Sequence, residues 1–149
     1  MTEHSREVAS DELIYHAETE LGITFPEELK SIWRTHNCNE LSGGWIFYPI
    51  FNPANPRKTA GAITYENLRG AWGKHIRDLG LLALASNGTG NHLVARVVDG
   101  YVEPKILHWH HETGRLTHWK PGIPAVMRSA QKSADSLAKI RDKFVLNKA

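Results

Sequence analysis

The chain has 149 residues, of which 18 are basic and 16 acidic, so its formal net charge is +2. Apolar residues make up 41% and charged residues 23%, a globular composition that excludes an intrinsically disordered chain. This balanced charge gives no reason to expect nucleic-acid binding, which normally needs a concentrated basic patch. The length predicts a single domain over residues 1–149, with its core from about residue 10 to about residue 146.

The sequence also indicates the compartment. Cys38 is the only cysteine, so no disulfide can form within the chain and nothing requires an oxidising environment. The first residues lack the basic start and apolar segment of a signal peptide. No apolar run approaches the roughly 20 residues that span a bilayer. We therefore expect a cytoplasmic protein with no membrane contact.

Two amphipathic helices are predicted first. One begins near Ser10 and ends before Gly22, a typical C-terminal stop. The other has Pro26 in its first turn, where the fixed proline backbone is favourable. Its predicted buried face consists of Leu29, Ile32, Trp33 and His36. The polar, glycine-bearing residues 37–44 then predict a loop.

The middle of the chain predicts one strand, one loop and one helix. Residues 45–50 are aromatic and β-branched, which favours a strand, and Pro49 places it at an edge or ends it there. The asparagines and prolines of residues 51–58 indicate a loop. A helix over residues 63–76 is predicted despite two glycines. Its buried side would carry Ile63, Leu68, Trp72 and Ile76.

The second half predicts a β-meander and a final helix. The expected strands are 81–85, 92–98, 105–109 and 115–119. Asp99-Gly100 is a tight hairpin signal. The helix is expected over about residues 125–146, with Val126, Ala130, Leu137, Ile140 and Phe144 buried. The predicted fold class is therefore α+β, an antiparallel or mixed sheet with helices on one side, an N-terminal helix pair and a C-terminal helix.

The nine histidines raise the question of a metal site. His108 and His110 are two apart on a predicted strand, so they share a face, and His118 could lie opposite them across the hairpin. Three imidazoles and a water would make a hydrolytic zinc site. No Cys-x-x-Cys or His-Glu-x-x-His pattern supports one. A histidine-based metal hydrolase therefore stays a further alternative, and we expect no cofactor.

Other catalytic patterns are weak. Ser129 and Lys132 match Ser-x-x-Lys, but its companion motifs are absent. Cys38 could be a nucleophile paired with His36, but neighbouring positions in one loop are weak evidence, and an incidental half-buried thiol is the better interpretation. The glycine-rich residues 87–91 lack the lysine and the order of a phosphate-binding loop. We therefore predict that the protein is not an enzyme.

A nucleic-acid platform is another alternative. Aromatic and basic residues interleave in 105–109 and 115–120, as they do in single-strand-binding surfaces. Glu103 and Glu112 dilute the positive charge, and strand alternation alone would explain the aromatic residues as core. Nucleic acid is therefore not the expected partner.

Four ordered motifs together resemble the SUKH superfamily, whose yeast members regulate cell-wall assembly. They are residues 21–37, 45–50, 84–91 and 105–114. The resemblance extends over about residues 10–144. Two positions depart from the family pattern, because Asn91 stands where many members have aspartate and His110 where an acidic residue is common. If the family uses acidity there, the partner preference of this chain should differ.

The resemblance implies a non-enzymatic binding domain. Many bacterial members are immunity proteins that bind a toxin encoded nearby, whereas others are regulatory interaction modules. We expect a protein partner, most simply a cognate toxin domain. The candidate contact residues are in two turns of the meander and at three possible aromatic anchors. They are Asn87, Thr89, Asn91, His92, His110, His111, Glu112, Trp45, Tyr48 and Trp72.

Overall fold

The computed structural model describes residues 7–148, with side chains described as far as residue 143. Within this part of the chain there are five helices and seven strands. The helices are α1 (Asp11–Leu21), α2 (Glu27–Thr35), α3 (Ile63–Leu68), α4 (Gly73–Asp78) and α5 (Gly122–Lys148). The strands are β1 (Asn39–Leu41), β2 (Trp45–Phe47), β3 (Leu81–Ser86), β4 (His92–Val98), β5 (Tyr101–Val102), β6 (Leu107–Trp109) and β7 (Leu116–His118). This confirms the predicted α+β class.

The strands form one antiparallel sheet in the order β1-β2-β3-β4-β6-β7. Strand β4 has two partners on one edge, because its first half pairs with β6 and its last two residues pair with β5. Asp99 and Gly100 make the predicted β4–β5 hairpin, with φ angles of 51° and 80°. The predicted meander is therefore confirmed, and β5 is an additional short strand within it.

The core lies around the middle of the sheet. Residues 81–85 of β3 are all buried, so both faces of this strand are shielded from solvent. Helices α3 and α4 pack on β3, whereas α5 packs on α2 and β1. Trp33 of α2 is fully buried, with its ring centroid 4.8 Å from that of Phe25. Its indole Nε1 donates to the Tyr48 carbonyl at 3.0 Å, which attaches α2 to the end of β2.

Two buried asparagines extend the backbone pairing. The Asn37 amide donates to the Ile50 carbonyl at 2.8 Å and accepts from the Ile50 N–H at 2.9 Å. Asn67 makes the same pair of bonds with Ala83, both at 2.9 Å. Each asparagine thus satisfies backbone groups that would otherwise be buried without partners. Asn67 in this way joins α3 to β3 beside the candidate site.

The predicted helix over 63–76 is wrong as one element, because it is divided into α3 and α4. A Cβ on Gly73 would lie 2.2 Å from the Glu66 carbonyl oxygen, so only glycine allows the two short helices to approach this closely. Ile63 and Ile76 are buried as predicted, but Leu68 and Trp72 are 50% and 38% exposed. The break turns these two side chains outwards.

Two further predictions need correction. Residues 39–41, predicted within a loop, form β1, which pairs with β2 across a turn at residues 42–44. On α5, Val126 and Ala130 are buried as predicted, but Ile140 is 64% exposed and Leu137 is only partly buried. The predicted burial of Phe144 lies outside the described side chains. Between residues 7 and 148, no helix is both long and apolar enough to cross a membrane.

Candidate functional site

Two turns of the meander are held together by one side-chain amide. Asn91 lies just before β4, and its Oδ1 accepts from the His111 backbone N–H at 3.0 Å and faces the His111 Nδ1 at 2.7 Å. The contact joins residues 20 apart in the chain. Because an amide oxygen only accepts, the His111 Nδ1 must carry the proton. The two turns predicted as contact sites therefore form one continuous surface.

Glycine makes this approach possible. Gly90 has a φ angle of 94°, and a Cβ at that position would lie 3.0 Å from the His111 ring. The imidazole thus packs directly against the Gly90 backbone. A side chain there would push the turns apart.

The joined turns border an open cleft of about 560 Å³, here called the histidine cleft. It is lined by Thr89, Asn91, His110, His111, Glu112, Thr113, Arg115 and Thr117. Five of these side chains were predicted contact residues, namely Thr89, Asn91, His110, His111 and Glu112. The His110 Nε2 lies 3.0 Å from the Thr117 Oγ1, which fixes one wall. The cleft contains one cation, Arg115, and one anion, Glu112, so it suits hydrogen bonding more than strong attraction of either charge.

Sequence reasoning missed Arg115 and Thr117 as members of this cleft. Both follow the turn after β6, at alternate positions that the antiparallel hairpin brings to one face. This alternation was the available signal. Asn87, by contrast, lies beside the cleft, where its Oδ1 accepts from the Thr89 hydroxyl at 2.6 Å and shapes the turn.

Trp72 is the exposed aromatic residue of this surface. Its ring centroid lies 5.3 Å from that of His111, 5.8 Å from that of Trp109 and 6.3 Å from that of His92. Trp109 is only 1% exposed, so it supports Trp72 from below. A large ring held in place while 38% exposed is typical of an interface anchor.

His92 positions the first turn from inside. It is 5% exposed, and its Nδ1 lies 2.8 Å from the Gly90 carbonyl oxygen. Burial lowers its pKa, against a smaller opposite effect of the Gly90 carbonyl. The ring is therefore neutral at physiological pH, and it supports the turn instead of facing a partner.

Trp45 and Tyr48 are buried, with 6% and 4% exposure. The Trp45 ring packs edge-on against His108 at 5.3 Å. Burial, more than any neighbour, raises the pKa of Tyr48 to about 12. Both residues are part of the packing under the site, and Tyr48 also borders a small cavity beside Trp72.

The prediction that His118 lies opposite His108 and His110 across the hairpin is wrong. His108 and His110 do share a face, and their rings stack at 4.1 Å. The β6–β7 register, however, pairs His108 with Thr117 and His118 with Leu107, so His118 lies on the other face. In the described part of the chain, no three His, Cys, Asp or Glu side chains are grouped so that they could hold a metal ion.

The other chemical candidates are separate from this site. Burial raises the pKa of the Cys38 thiol and lowers the pKa of His36, so the thiolate is disfavoured. The Cys38 Sγ points to the Lys58 carbonyl oxygen at 3.5 Å. Ser129 donates to the Glu40 carbonyl at 3.0 Å, a contact that attaches α5 to β1. Neither arrangement provides an activated nucleophile.

The alternative of a nucleic-acid platform would require exposed aromatic rings. Trp109, with 1% exposure, has no free face on which a base could stack. Lys105 and Arg115 are exposed, but the aromatic residue that lies between them in the sequence is part of the core.

Comparison with known families supports the assignment that the motifs predicted. The family described as "SMI1 / KNR4 family (SUKH-1)" matches residues 8–126, which include α1 through the first turn of α5. A search among curated proteins found no significant match. Since the matched segment includes well over half of the chain and the whole sheet, the chain belongs to the SMI1/KNR4 family (SUKH-1).

Proposed function

We propose that the protein is an immunity protein, which acts as a single domain in the bacterial cytoplasm and neutralises a toxin by binding it. At the coarser level of its family, the chain is a protein-binding domain of the immunity type. The finer proposal is that its partner is a cognate toxin domain encoded nearby.

The observation that carries this proposal is the Asn91–His111 pair, which holds two turns in one arrangement beside an exposed tryptophan. Binding costs less free energy when loops are already ordered. A rigid aromatic anchor with hydrogen-bonding groups around it also matches the composition of protein interfaces. We therefore place the contact at the histidine cleft and Trp72.

We also propose that neutralisation involves no catalysis. A nucleophile would need a base and an orienting group within hydrogen-bonding reach. Cys38, the strongest nucleophile by residue type, has a raised pKa. The histidines of the cleft contact Asn91 and Thr117, not a serine or cysteine. Blocking the toxin by direct binding fits these contacts.

The test is co-expression with the protein encoded by the adjacent reading frame. That protein should arrest growth alone, and co-expression of this chain should restore growth through a complex that co-elutes in size-exclusion chromatography. A Trp72→Ala variant should lose most of the rescue, whereas Leu79→Ala, a truncation of another exposed apolar residue, should keep it. An adjacent frame with no toxicity and no binding would overturn the proposal.

A regulatory interaction module, of a signalling or cell-wall pathway, is the alternative because the same surface would serve it. Affinity purification of the tagged chain from its own cells separates the two functions. A housekeeping protein recovered in stoichiometric amount and lost in Trp72→Ala would favour regulation.

A further inference from the structure

A second, smaller cavity of about 190 Å³ is bordered by Gly88 and Gly90, whose neighbours Thr89 and Asn91 line the histidine cleft. We call it the Glu66 pocket. It is lined by Tyr48, Glu66, Ala71, Trp72, Gly73, Ser86, Gly88, Gly90 and His92. Its volume equals that of roughly six water molecules in the liquid, enough for the end of one long side chain. Trp72 lines this pocket and contacts His111 of the cleft, so the two concavities belong to one surface.

Glu66 brings a negative charge to this pocket without a positive partner. Within residues 7–143, its carboxylate makes no hydrogen bond or ion pair. Of the cations on and between α3 and α4, Lys74 pairs with Asp78 at 3.0 Å, Arg77 donates to the Leu21 carbonyl at 2.8 Å, and Arg69 makes no ion pair with Glu66. Burial accordingly raises the pKa of Glu66, since nothing compensates its lost hydration.

The backbone holds this carboxylate in place. A Cβ on Gly70 would lie 2.9 Å from the Glu66 Oε2, so the carboxylate packs over the bare Gly70 backbone. The same break between α3 and α4 turns Trp72 towards the pocket. Glu66 and Trp72 are therefore brought together by the glycines that interrupted the predicted helix.

The other polar groups of the pocket favour a cation. Tyr48 is a neutral phenol, because burial raises its pKa to about 12, and Ser86 lines the pocket beside it. Both hydroxyl oxygens can accept hydrogen bonds. His92 has a lowered pKa and adds no positive charge at physiological pH. An ammonium or guanidinium group near Trp72 would also be attracted by the indole ring.

We propose that the Glu66 pocket receives the cationic end of a lysine or arginine side chain from the surface of the protein partner. The proposal rests on the proposed protein-binding function, and it specifies the chemistry of one contact. The entering cation would pair with the Glu66 carboxylate, which is partly buried and otherwise has no cationic partner. The attraction would be stronger than at an open surface, because less water is present to screen it. An acidic side chain would meet repulsion at the same place.

The experiment uses the whole protein and short peptides. Amide and indole resonances of the ¹⁵N-labelled chain are followed during titration with Ac-Gly-Lys-Gly-NH2 or Ac-Gly-Arg-Gly-NH2 at millimolar concentrations. The neutral control is the peptide with norleucine in place of lysine. We expect saturable shifts at the Trp72 indole and the Gly88 and Gly90 amides with the two basic peptides alone. Equal shifts with norleucine, or none with lysine and arginine, would overturn the proposal.

Two charge-neutralising variants complete the test. Glu66→Gln keeps the shape of the side chain and should weaken binding of the basic peptides at least roughly tenfold. Glu28→Gln removes the same charge from an exposed position on helix α2, which does not line the pocket, and this variant should bind as the wild type does. Equal affinities of the two variants would contradict the assignment to Glu66.

The same variants separate this inference from the proposed function. Selective peptide binding without toxin neutralisation would leave the pocket established and the immunity function wrong. The opposite outcome is that both variants neutralise the toxin equally well and the basic peptides cause no shifts. This would support the proposed function and reject the pocket.

Discussion

The Asn91 side-chain oxygen is bonded to both the backbone N–H and the imidazole of His111, at 3.0 and 2.7 Å. An amide oxygen can accept both bonds without placing a charge in the cleft. The turns are thereby joined while the cleft keeps one cation, Arg115, and one anion, Glu112.

The first prediction concerns this connection. Asn91→Ala removes both bonds and should lower the free energy of unfolding by about 1–2 kcal/mol, since each part-buried hydrogen bond contributes roughly 1 kcal/mol. Urea denaturation measures the change. Asn87→Ala is the control, because Asn87 bonds only within its own exposed turn, and it should cost less than about 0.5 kcal/mol. Equal losses would show that the turns are not joined through Asn91.

The second prediction compares two glycines of one turn. Gly88 and Gly90 have φ angles of 83° and 94°, so alanine is strained at either position by about 1–2 kcal/mol. At Gly88 the new Cβ meets nothing within 4 Å, but at Gly90 it lies 3.0 Å from the His111 ring. Gly90→Ala should therefore be the more destabilising variant in thermal denaturation. It should also shift the His111 resonances, whereas Gly88→Ala should leave them unchanged.

Local signals in the sequence predicted much of the fold. Ser10 caps α1 by accepting from the Leu13 N–H at 3.2 Å, and Gly22 ends that helix with a φ angle of 68°. Both effects act within a few residues, so the local sequence reveals them. The break at Gly70–Trp72 was missed because helical spacing continued through it. What determines the break is the close packing of the start of α4, at Gly73, against the Glu66 carbonyl of α3. This is a contact between two helices, and helical spacing does not reveal it.

The candidate site was predicted as two turns, but not as a joined surface. The Asn91–His111 contact follows from the β4–β6 register, which places His92 opposite Trp109. Register depends on packing across the whole sheet, and a shift by one residue exchanges the faces of every side chain. For the same reason the sequence could not show that His118 faces away from His108. The Glu66 pocket had no sequence signal, since an isolated glutamate on a short helix is ordinary.

The third prediction is a pH dependence of stability. Burial lowers the pKa of His92 in the folded chain below the value of about 6.5 expected when unfolded. The unfolded chain then binds more protons as the pH falls through that value. The contribution of neutral His92 to the free energy of unfolding is therefore fully present above about pH 6.5. It is lost progressively as the pH falls from there to the lower pKa of the folded chain. His36 and His108, whose pKa values burial also lowers, act in the same direction.

The measurement is urea denaturation between about pH 7.5 and about pH 5.5, an interval that includes the ordinary histidine pKa of about 6.5. The free energy of unfolding should decrease towards the lower pH. His92→Asn, which can keep a hydrogen bond to the Gly90 carbonyl but does not titrate, should show a smaller decrease. If both proteins lose the same stability over this interval, His92 does not contribute.

The fourth prediction concerns the asparagine that joins α3 to β3. Asn67→Ala leaves the Ala83 N–H and C=O buried without these partners and should cost about 2–4 kcal/mol. Asn37→Ala should cost a similar amount, because Asn37 makes the equivalent pair of bonds with Ile50. Chemical denaturation of both variants checks this. A loss below about 1 kcal/mol in either would indicate that water replaces the missing amide.

The last prediction tests whether the first turn is an interface. Thr89 is exposed at the rim of the histidine cleft, and its bonds are to Asn87 and Asn91 of the same turn. Thr89→Glu should leave the fold intact, as judged by thermal denaturation. It should reduce affinity for the proposed toxin partner at least about tenfold, or about 1.4 kcal/mol, because a new charge must be desolvated in the contact.

Thr89→Gln is the matched control, since glutamine has nearly the same size and no charge. It should retain affinity to within about threefold by isothermal titration calorimetry. A loss with both variants would assign the effect to size or to the broken turn bonds. An unchanged affinity of Thr89→Glu would remove this turn from the interface, and the contact would then have to be centred on Trp72 and the Glu66 pocket.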